Sequence, residues 1–276
     1  MAAVPTAHDA VGNECSVPPL PPVHGLWIGS DLTPIERLSI RSFLAHGHPY
    51  ELFTYDRIAG VPDGTTLADA NELIPRDHVF LSHGSPAHFA DWFRWKLMVE
   101  RGGYWADLDV VCLERFDFSE PLVFGWQDDH LINTAVLGFP AGHSLACTML
   151  RRCESARPVW PGKPGPPLGN PREQEASDSL DWSAQPWGLV GGPYGFTLEV
   201  RRAGLVAMAR PARCFYPVSY TSWRRLLEPD SLALDDALAG AWAVHLWNDM
   251  FERHGVDKHA AFPPSSFIGQ LEARYL

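Results

Sequence analysis

No uninterrupted apolar run in this 276-residue chain approaches the roughly 20 residues that a membrane-crossing helix needs. Lysine is scarce, with only Lys96, Lys163 and Lys258, and no basic cluster offsets a formal net charge of −11. That balance disfavours non-specific nucleic-acid binding, which depends on neutralising backbone phosphates. Cysteine is sparse too. Cys15, Cys112, Cys147, Cys153 and Cys214 are scattered, odd in number and without a C-x-x-C pair. They exclude a zinc knuckle or a disulfide framework and point to free thiols in a reducing compartment. The start, "MAAVPTAHDAVGNECSVPPLPP", lacks a basic stretch followed by an apolar one, so it does not read as a signal peptide. Residues 1–22 are expected to form a flexible Pro-rich leader. The expected location is the cytoplasm, with peripheral contact at the inner face of a membrane compatible with it.

What is present suits a globular domain. The hydrophobic fraction is 46 %, and the length suffices for a substantial core. "VHGLWIG" reads as a buried strand. "DLTPIERLSIRSFLAHGHP" follows as a helix, with Thr33 and Glu36 forming a capping box, Pro34 at the first helical position and Gly47 as the stop. "YELFTYD" alternates as a second strand, so residues 23–56 form a β-α-β unit and predict a parallel sheet. A second helix begins at Ser85 and Pro86 and ends at Gly102 and Gly103. Phe89, Phe93 and Leu97 make its packing stripe, with Asp91 and Arg94 as neighbours on the other side. Further strands are expected at "PLVFGW", "INTAVLGFP", "RCFYPV" and "AWAVHLW". Residues 154–187, rich in Pro and Gly, read as an insertion or lid within one domain spanning 23–276.

The chemistry concentrates in "GGYWADLDVVC", where Asp107 and Asp109 stand one residue apart in an apolar strand. Unpaired carboxylates are costly in a partly buried position. Two of them at i and i+2 can converge on one cation if the backbone turns between them. Such an incomplete oxygen cage suits Mg²⁺ or Mn²⁺ shared with phosphate oxygens. A D-x-D pair alone fits solvated loop acids equally well, so its context decides.

That context resembles a known family. "FADWFRWKLMVERGGYWADLDVVCL" is similar to the signature of the D-x-D glycosyltransferases of family 32, relatives of α-1,4-galactosyltransferases and yeast mannosyltransferases. The clostridial glucosylating toxins are more distantly similar. The resemblance extends through "HGLWIG", "SFLAHGHPYELFTYD", "INTAVLGFPAGH" and "HLWNDM", covering about residues 23–252. It implies an α/β chain with a GT-A fold, a Rossmann-like mixed sheet flanked by helices in a single domain. It also implies retaining transfer of a hexose-type sugar from a nucleotide-sugar donor, a UDP-sugar before a GDP-sugar. The acceptor would be a glycan or a lipid-linked saccharide. On this resemblance Trp27 and Ile28 contact the donor, with Trp27 stacking on its base. Asp91 and Arg94 meet the ribose and the sugar or phosphate side. Asp107 meets the ribose and a metal-bound water, and Asp109 ligates Mn²⁺ or Mg²⁺ with help from Asn248. His245 and Trp247 close over the diphosphate, while Asp128 and Asn133 belong to the sugar pocket. The chain departs from its relatives at Trp105, where they often carry tyrosine, and in the Pro/Gly-rich insertion on the acceptor side.

Two other classes share some of these features. "DLDVV" also fits the nucleophile loop of haloacid-dehalogenase-type phosphohydrolases, although that loop normally lies near the chain start and needs a well-placed lysine. A non-catalytic protein binding nucleotide sugars or carbohydrate would keep the same fold. The eleven tryptophans suit sugar stacking and core packing alike.

Overall fold

The computed structural model describes residues 20–82, 84–156, 188–230 and 238–276. Most of the expected leader, and the insertion from residue 157 onward, lie outside the described residues. Six strands form the main sheet: β1 (Val23–Trp27), β2 (Tyr50–Thr54), β3 (Thr65–Asp69), β4 (Gly103–Ala106), β6 (Val123–Trp126) and β7 (Ile132–Phe139). Their spatial order is β3-β2-β1-β4-β7-β6. β1 runs parallel to β2 and β4, and β2 parallel to β3, while β7 runs antiparallel to both its neighbours. The chain thus builds outward from β1 on one side and then crosses to β4 on the other. Between β1 and β4 the strand order reverses, which opens a crevice at the carboxyl ends of those two strands. Trp27 ends β1 and Asp107 follows β4, so both occupy this edge.

The helices cover both faces. Helix α1 (Pro34–Ala45) starts with the expected capping box, Thr33 and Glu36 each satisfying the other's backbone side, and Pro34 enters at its first turn. It ends at Gly47, whose φ of +80° needs a residue without a Cβ. With α6 (Phe267–Tyr275) and the C-terminal elements α1 buries Leu38, Ile40, Phe43, Phe251 and Phe267 on one side. On the other side lie α2 (Ala87–Glu100), α3 (Ser144–Ala156) and α4 (Pro193–Arg202). These enclose Phe89, Phe93, Trp95, Met149 and Phe196. Each such side chain contributes about 1.5–3 kcal/mol when fully buried, so packing on both faces anchors the strands that end at the crevice. Among the described residues, no helix is long and apolar enough to cross a membrane.

The structure corrects three readings of the sequence. The strand bearing the aspartates is not continuous. β4 stops at Ala106, a turn closed by Val110 N donating to Asp107 O at 2.9 Å follows, and β5 (Val110–Cys112) leaves the main sheet. β5 pairs instead with β8 (Ala243–His245) as a two-stranded antiparallel ribbon. "RCFYPV" forms a short 3₁₀ turn at Ala212–Cys214 and then runs irregularly. There Tyr216 N bonds back to Ala212 O at 2.7 Å, which takes the chain out of a ladder. Of "AWAVHLW" only Ala243–His245 is strand, because Trp247 adopts left-handed φ 60°, ψ 45°.

Candidate functional site

The break at Ala106 brings the aspartates together. After the turn, β5 pairs with β8 so that Val110 faces His245 across the ribbon. Asp109 therefore meets the C-terminal block directly. Its Oδ1 lies 3.1 Å from His245 Nε2, its Oδ2 accepts from Asn248 N at 2.8 Å, and its carbonyl accepts from Leu246 N at 2.8 Å. The left-handed backbone of Trp247 turns the chain so that Asn248 N, at the start of α5 (Asn248–Arg253), points at Asp109. Burial would raise the Asp109 pKa, but His245 and the Asn248 N–H outweigh it and hold the carboxyl below its usual range. Burial likewise disfavours a charged His245, yet Asp109 more than compensates and raises its pKa.

Asp107 is held from the other side. Arg94 Nη2 donates to its Oδ1 at 2.7 Å, and so does Trp105 Nε1 at 2.7 Å. The same guanidinium reaches Asp91 Oδ1 at 3.1 Å and the Thr134 hydroxyl, and it lies 5.0 Å from the centre of the Trp105 ring. The exposed ion pair that the spacing of Asp91 and Arg94 also allowed is not what forms, since both are buried, at 8 % and 4 % exposure. Burial pushes the Asp91 carboxyl up to about 7, with Arg94 pulling it down and Asp107 adding to the rise. Gly191 and Gly192 pack against it, and a Cβ on Gly191 would come within 2.8 Å of Asp91 Cβ.

Asp107, Asp109 and His245 offer ligand atoms that all lie within 4.8 Å of one another. Two further polar atoms beside this cluster, His245 Nδ1 and Asn248 Oδ1, are buried without a hydrogen-bond partner among the described residues. Two carboxylates beside an orphaned amide oxygen suit a divalent cation, so the residues present fit one such as Mn²⁺ or Mg²⁺. Asn248 stands next to the cluster, its backbone N–H bonded to Asp109 Oδ2. His245 joins it as a member, a role the sequence reading did not assign.

The other expected residues divide. Trp27 and Ile28 lie at the carboxyl end of β1, partly buried, and the Trp27 indole N–H has no partner among the described residues. Trp247 is buried, donates to Val218 O at 2.7 Å and packs against His245 with ring centres 4.2 Å apart. Asn133 uses its side chain on Gln127 and on Ala135 N, and Ala135 O in turn accepts from Asp107 N at 2.9 Å. It therefore shapes the strand that supports Asp107. Asp128 accepts from Gln127 Nε2 and from the backbone of His130 and Leu131, bonds that close the β6–β7 hairpin and do not join it to the cluster. The sequence reading missed Thr134, the contacts of Trp105 and Gly191, and Tyr216, whose ring stands edge-on to His245 at 5.9 Å. Trp105 had stood out only as a departure from the tyrosine of the relatives, and its indole N–H donates to Asp107.

The chain is similar to known glycosyltransferases. Residues 203–267 match a family described as the alpha 1,4-glycosyltransferase conserved region. That region contains His245, Trp247 and Asn248 but neither aspartate. Lactosylceramide 4-alpha-galactosyltransferase of Rattus norvegicus is 25 % identical over 190 residues, covering 67 % of this chain and 46 % of the rat protein. The chain thus spans about half the length of that curated relative. The Homo sapiens protein of the same name is 25 % identical over 300 residues, covering 94 % of this chain and 78 % of its own. Among solved structures, PaToxG glycosyltransferase aligns with a TM-score of 0.47 at 13 % identity, over 69 % of this chain and 74 % of that one. The conserved region and these relatives support a glycosyltransferase family 32-like reading of the chain.

Proposed function

We propose that this chain is a metal-dependent, retaining glycosyltransferase that moves a hexose-type sugar from a nucleotide-sugar donor, a UDP-sugar before a GDP-sugar, to a glycan or lipid-linked hydroxyl acceptor. The observation that carries it is the convergence of Asp107, Asp109 and His245 beside the orphaned Asn248 Oδ1, at the carboxyl ends of adjacent parallel strands. Asp107, Asp109 and Asn248 would hold Mn²⁺ or Mg²⁺, with His245 at hand. When bound, the metal supplies positive charge against the departing diphosphate. A chain of net charge −11 needs such a local cation to hold an anionic donor.

The protein's own residues do the rest. Trp27 offers its ring to the base at the edge of β1. Arg94 keeps Asp91 and Asp107 in fixed positions, so their oxygens need no reorganisation when the donor arrives. Asp91, with its carboxyl near neutrality in its titration, suits a hydrogen bond to a ribose or sugar hydroxyl as donor or acceptor. Asp109 stays ionised because His245 and the Asn248 N–H stabilise its charge. The names of the relatives favour a galactosyl donor and a glycolipid acceptor.

The phosphohydrolase reading loses ground on one contact. The cation paired with Asp107 is Arg94, whereas Lys96 pairs with Glu100 and Lys258 with Glu36, so among the described residues no lysine stands where that chemistry needs one. Sugar transfer and donor hydrolysis measured over a panel of UDP- and GDP-sugars, with and without Mn²⁺, test the proposal against Asp109→Ala. Activity surviving both metal removal and the substitution would refute it. Tight donor binding without turnover on any acceptor would favour a carbohydrate-binding protein instead.

A further inference from the structure

Glu36 has a side chain with 0 % exposure, although it lies in the first turn of α1. One of its oxygens serves the helix: Oε2 accepts from Thr33 N at 2.7 Å and from the Thr33 hydroxyl. A capping box needs no more than this. The other oxygen reaches across the molecule. Oε1 lies 3.4 Å from Asn248 Nδ2, 212 residues along the chain, and 3.4 Å from Lys258 Nζ. A buried carboxylate is expensive unless its lone pairs are used, and here the lone pairs left over from the cap are used on the C-terminal block.

The chemistry of that contact decides how Asn248 is oriented. A carboxylate can only accept, so the Asn248 group facing Glu36 must be its NH₂. The amide carbonyl then turns away from Glu36, and this Oδ1 is the buried atom left without a partner among the described residues. The backbone N–H of the same residue is bonded to Asp109 Oδ2 at 2.8 Å. Asn248 is therefore pinned at two points, and its one free polar atom is an oxygen next to the aspartate pair.

We infer that Glu36 is a positioning residue for the metal site: by holding Asn248 Nδ2 it presents Asn248 Oδ1 as an oxygen ligand beside Asp109. The capping box of α1 thus does a second task, tying the start of the chain's first helix to the C-terminal block that completes the site. Lys258 supplies the countercharge that a buried carboxylate needs at this junction. The inference rests on the metal-dependent reading above and adds a residue that touches neither metal nor donor.

Glu36→Gln separates orientation from folding. Glutamine is also a capping-box residue, and its single carbonyl oxygen must face Thr33 N, which can only donate. Its NH₂ is then left facing Asn248, where two NH₂ groups cannot pair, and the Asn248 amide flips. Mn²⁺ binding to the donor-free protein, followed by the electron paramagnetic resonance signal of free Mn²⁺, reads the result without any assay of turnover. Wild type binds Mn²⁺, and Glu36→Gln weakens it by about 10–100-fold, the usual cost of losing an outer-shell partner. The double variant Glu36→Gln/Asn248→Asp recovers the affinity, because a carboxylate accepts from the glutamine NH₂ and still offers an oxygen to the metal. Native Mn²⁺ affinity in Glu36→Gln, or a double variant as weak as the single one, overturns the inference. If Glu36→Gln does not fold, Asn248→Leu leaves the cap intact and must weaken Mn²⁺ similarly; unchanged affinity there overturns it too. A wild-type protein that binds no Mn²⁺ overturns the metal-dependent reading itself, an outcome distinct from the others.

Discussion

Arg94 Nη2 lies 2.7 Å from Asp107 Oδ1, and through this bond helix α2 fixes the first aspartate of the D-x-D pair. The guanidinium is buried and shared among Asp91, Asp107 and Thr134. No other cation among the ion pairs described reaches either Asp91 or Asp107. Removing one partner of a buried charge network leaves the others uncompensated, at about 3–5 kcal/mol. Arg94→Met should therefore lower unfolding stability in urea by about that amount, and Asp91→Asn in the same background should recover part of it. A loss under about 1 kcal/mol would mean that solvent already screens the network.

The closeness of Gly191 to Asp91 makes a second expectation. A methyl at Gly191 would stand 2.7 Å from Cys153 Sγ and 2.8 Å from Asp91 Cβ. Both neighbours are buried, so neither can swing away. Gly191→Ala should cost about 1–3 kcal/mol, as overpacking typically does, and should weaken donor binding by displacing Asp91. Calorimetric melting and donor titration check the two parts separately.

Trp247 carries a conformation that a bulky residue rarely adopts, at φ 60°. A glycine there would relieve about 1–3 kcal/mol of backbone strain. It would also remove the indole bonded to Val218 O and packed on His245, a loss of about 3–5 kcal/mol for a buried ring. Trp247→Gly should be less stable than wild type despite the relaxed backbone, and it should bind donor poorly. A Trp247→Gly protein melting above wild type would show that the ring contributes little.

His48 gives the pH dependence. It is buried beneath Phe43, Tyr104 and Phe116, and its Nε2 accepts from Phe116 N at 2.9 Å, which requires the neutral ring. Burial pushes its pKa down from 6.5 to about 4, with Arg115 and His46 adding to the fall and the Pro21 carbonyl and Asp117 opposing it. The unfolded chain therefore takes up a proton at this residue before the folded one does. Its contribution to stability is complete above about pH 6.5 and is lost as pH falls towards about 4. Urea midpoints of wild type and His48→Gln should converge over that window as pH is lowered, and a constant gap between them would contradict the assignment.

Local order explains how much of this was legible beforehand. The cap of α1, its stop at Gly47, the Gly102–Gly103 break and strands β1, β2, β6 and β7 follow from short-range chemistry: a capping side chain, a missing Cβ, an alternating or apolar run. β3 escaped notice because "TTLAD" is an edge strand, half exposed and without an apolar signature. "RCFYPV" has the composition of a strand, but its backbone bonds to itself between two prolines instead of to a neighbour.

The sequence by itself determined the residue types of the candidate site, the aspartate pair and the HLWN block, because those depend on identity and spacing. Only the tertiary structure decided that Asp109 meets His245 and Asn248, that Arg94 is buried between two carboxylates, and that Asp128 serves a hairpin. The D-x-D turn sends β5 out of the main sheet to pair with β8, bringing together residues more than 130 positions apart. Local propensity carries no information about such a pairing, since the contacts that stabilise it exist only once both sheet faces are packed.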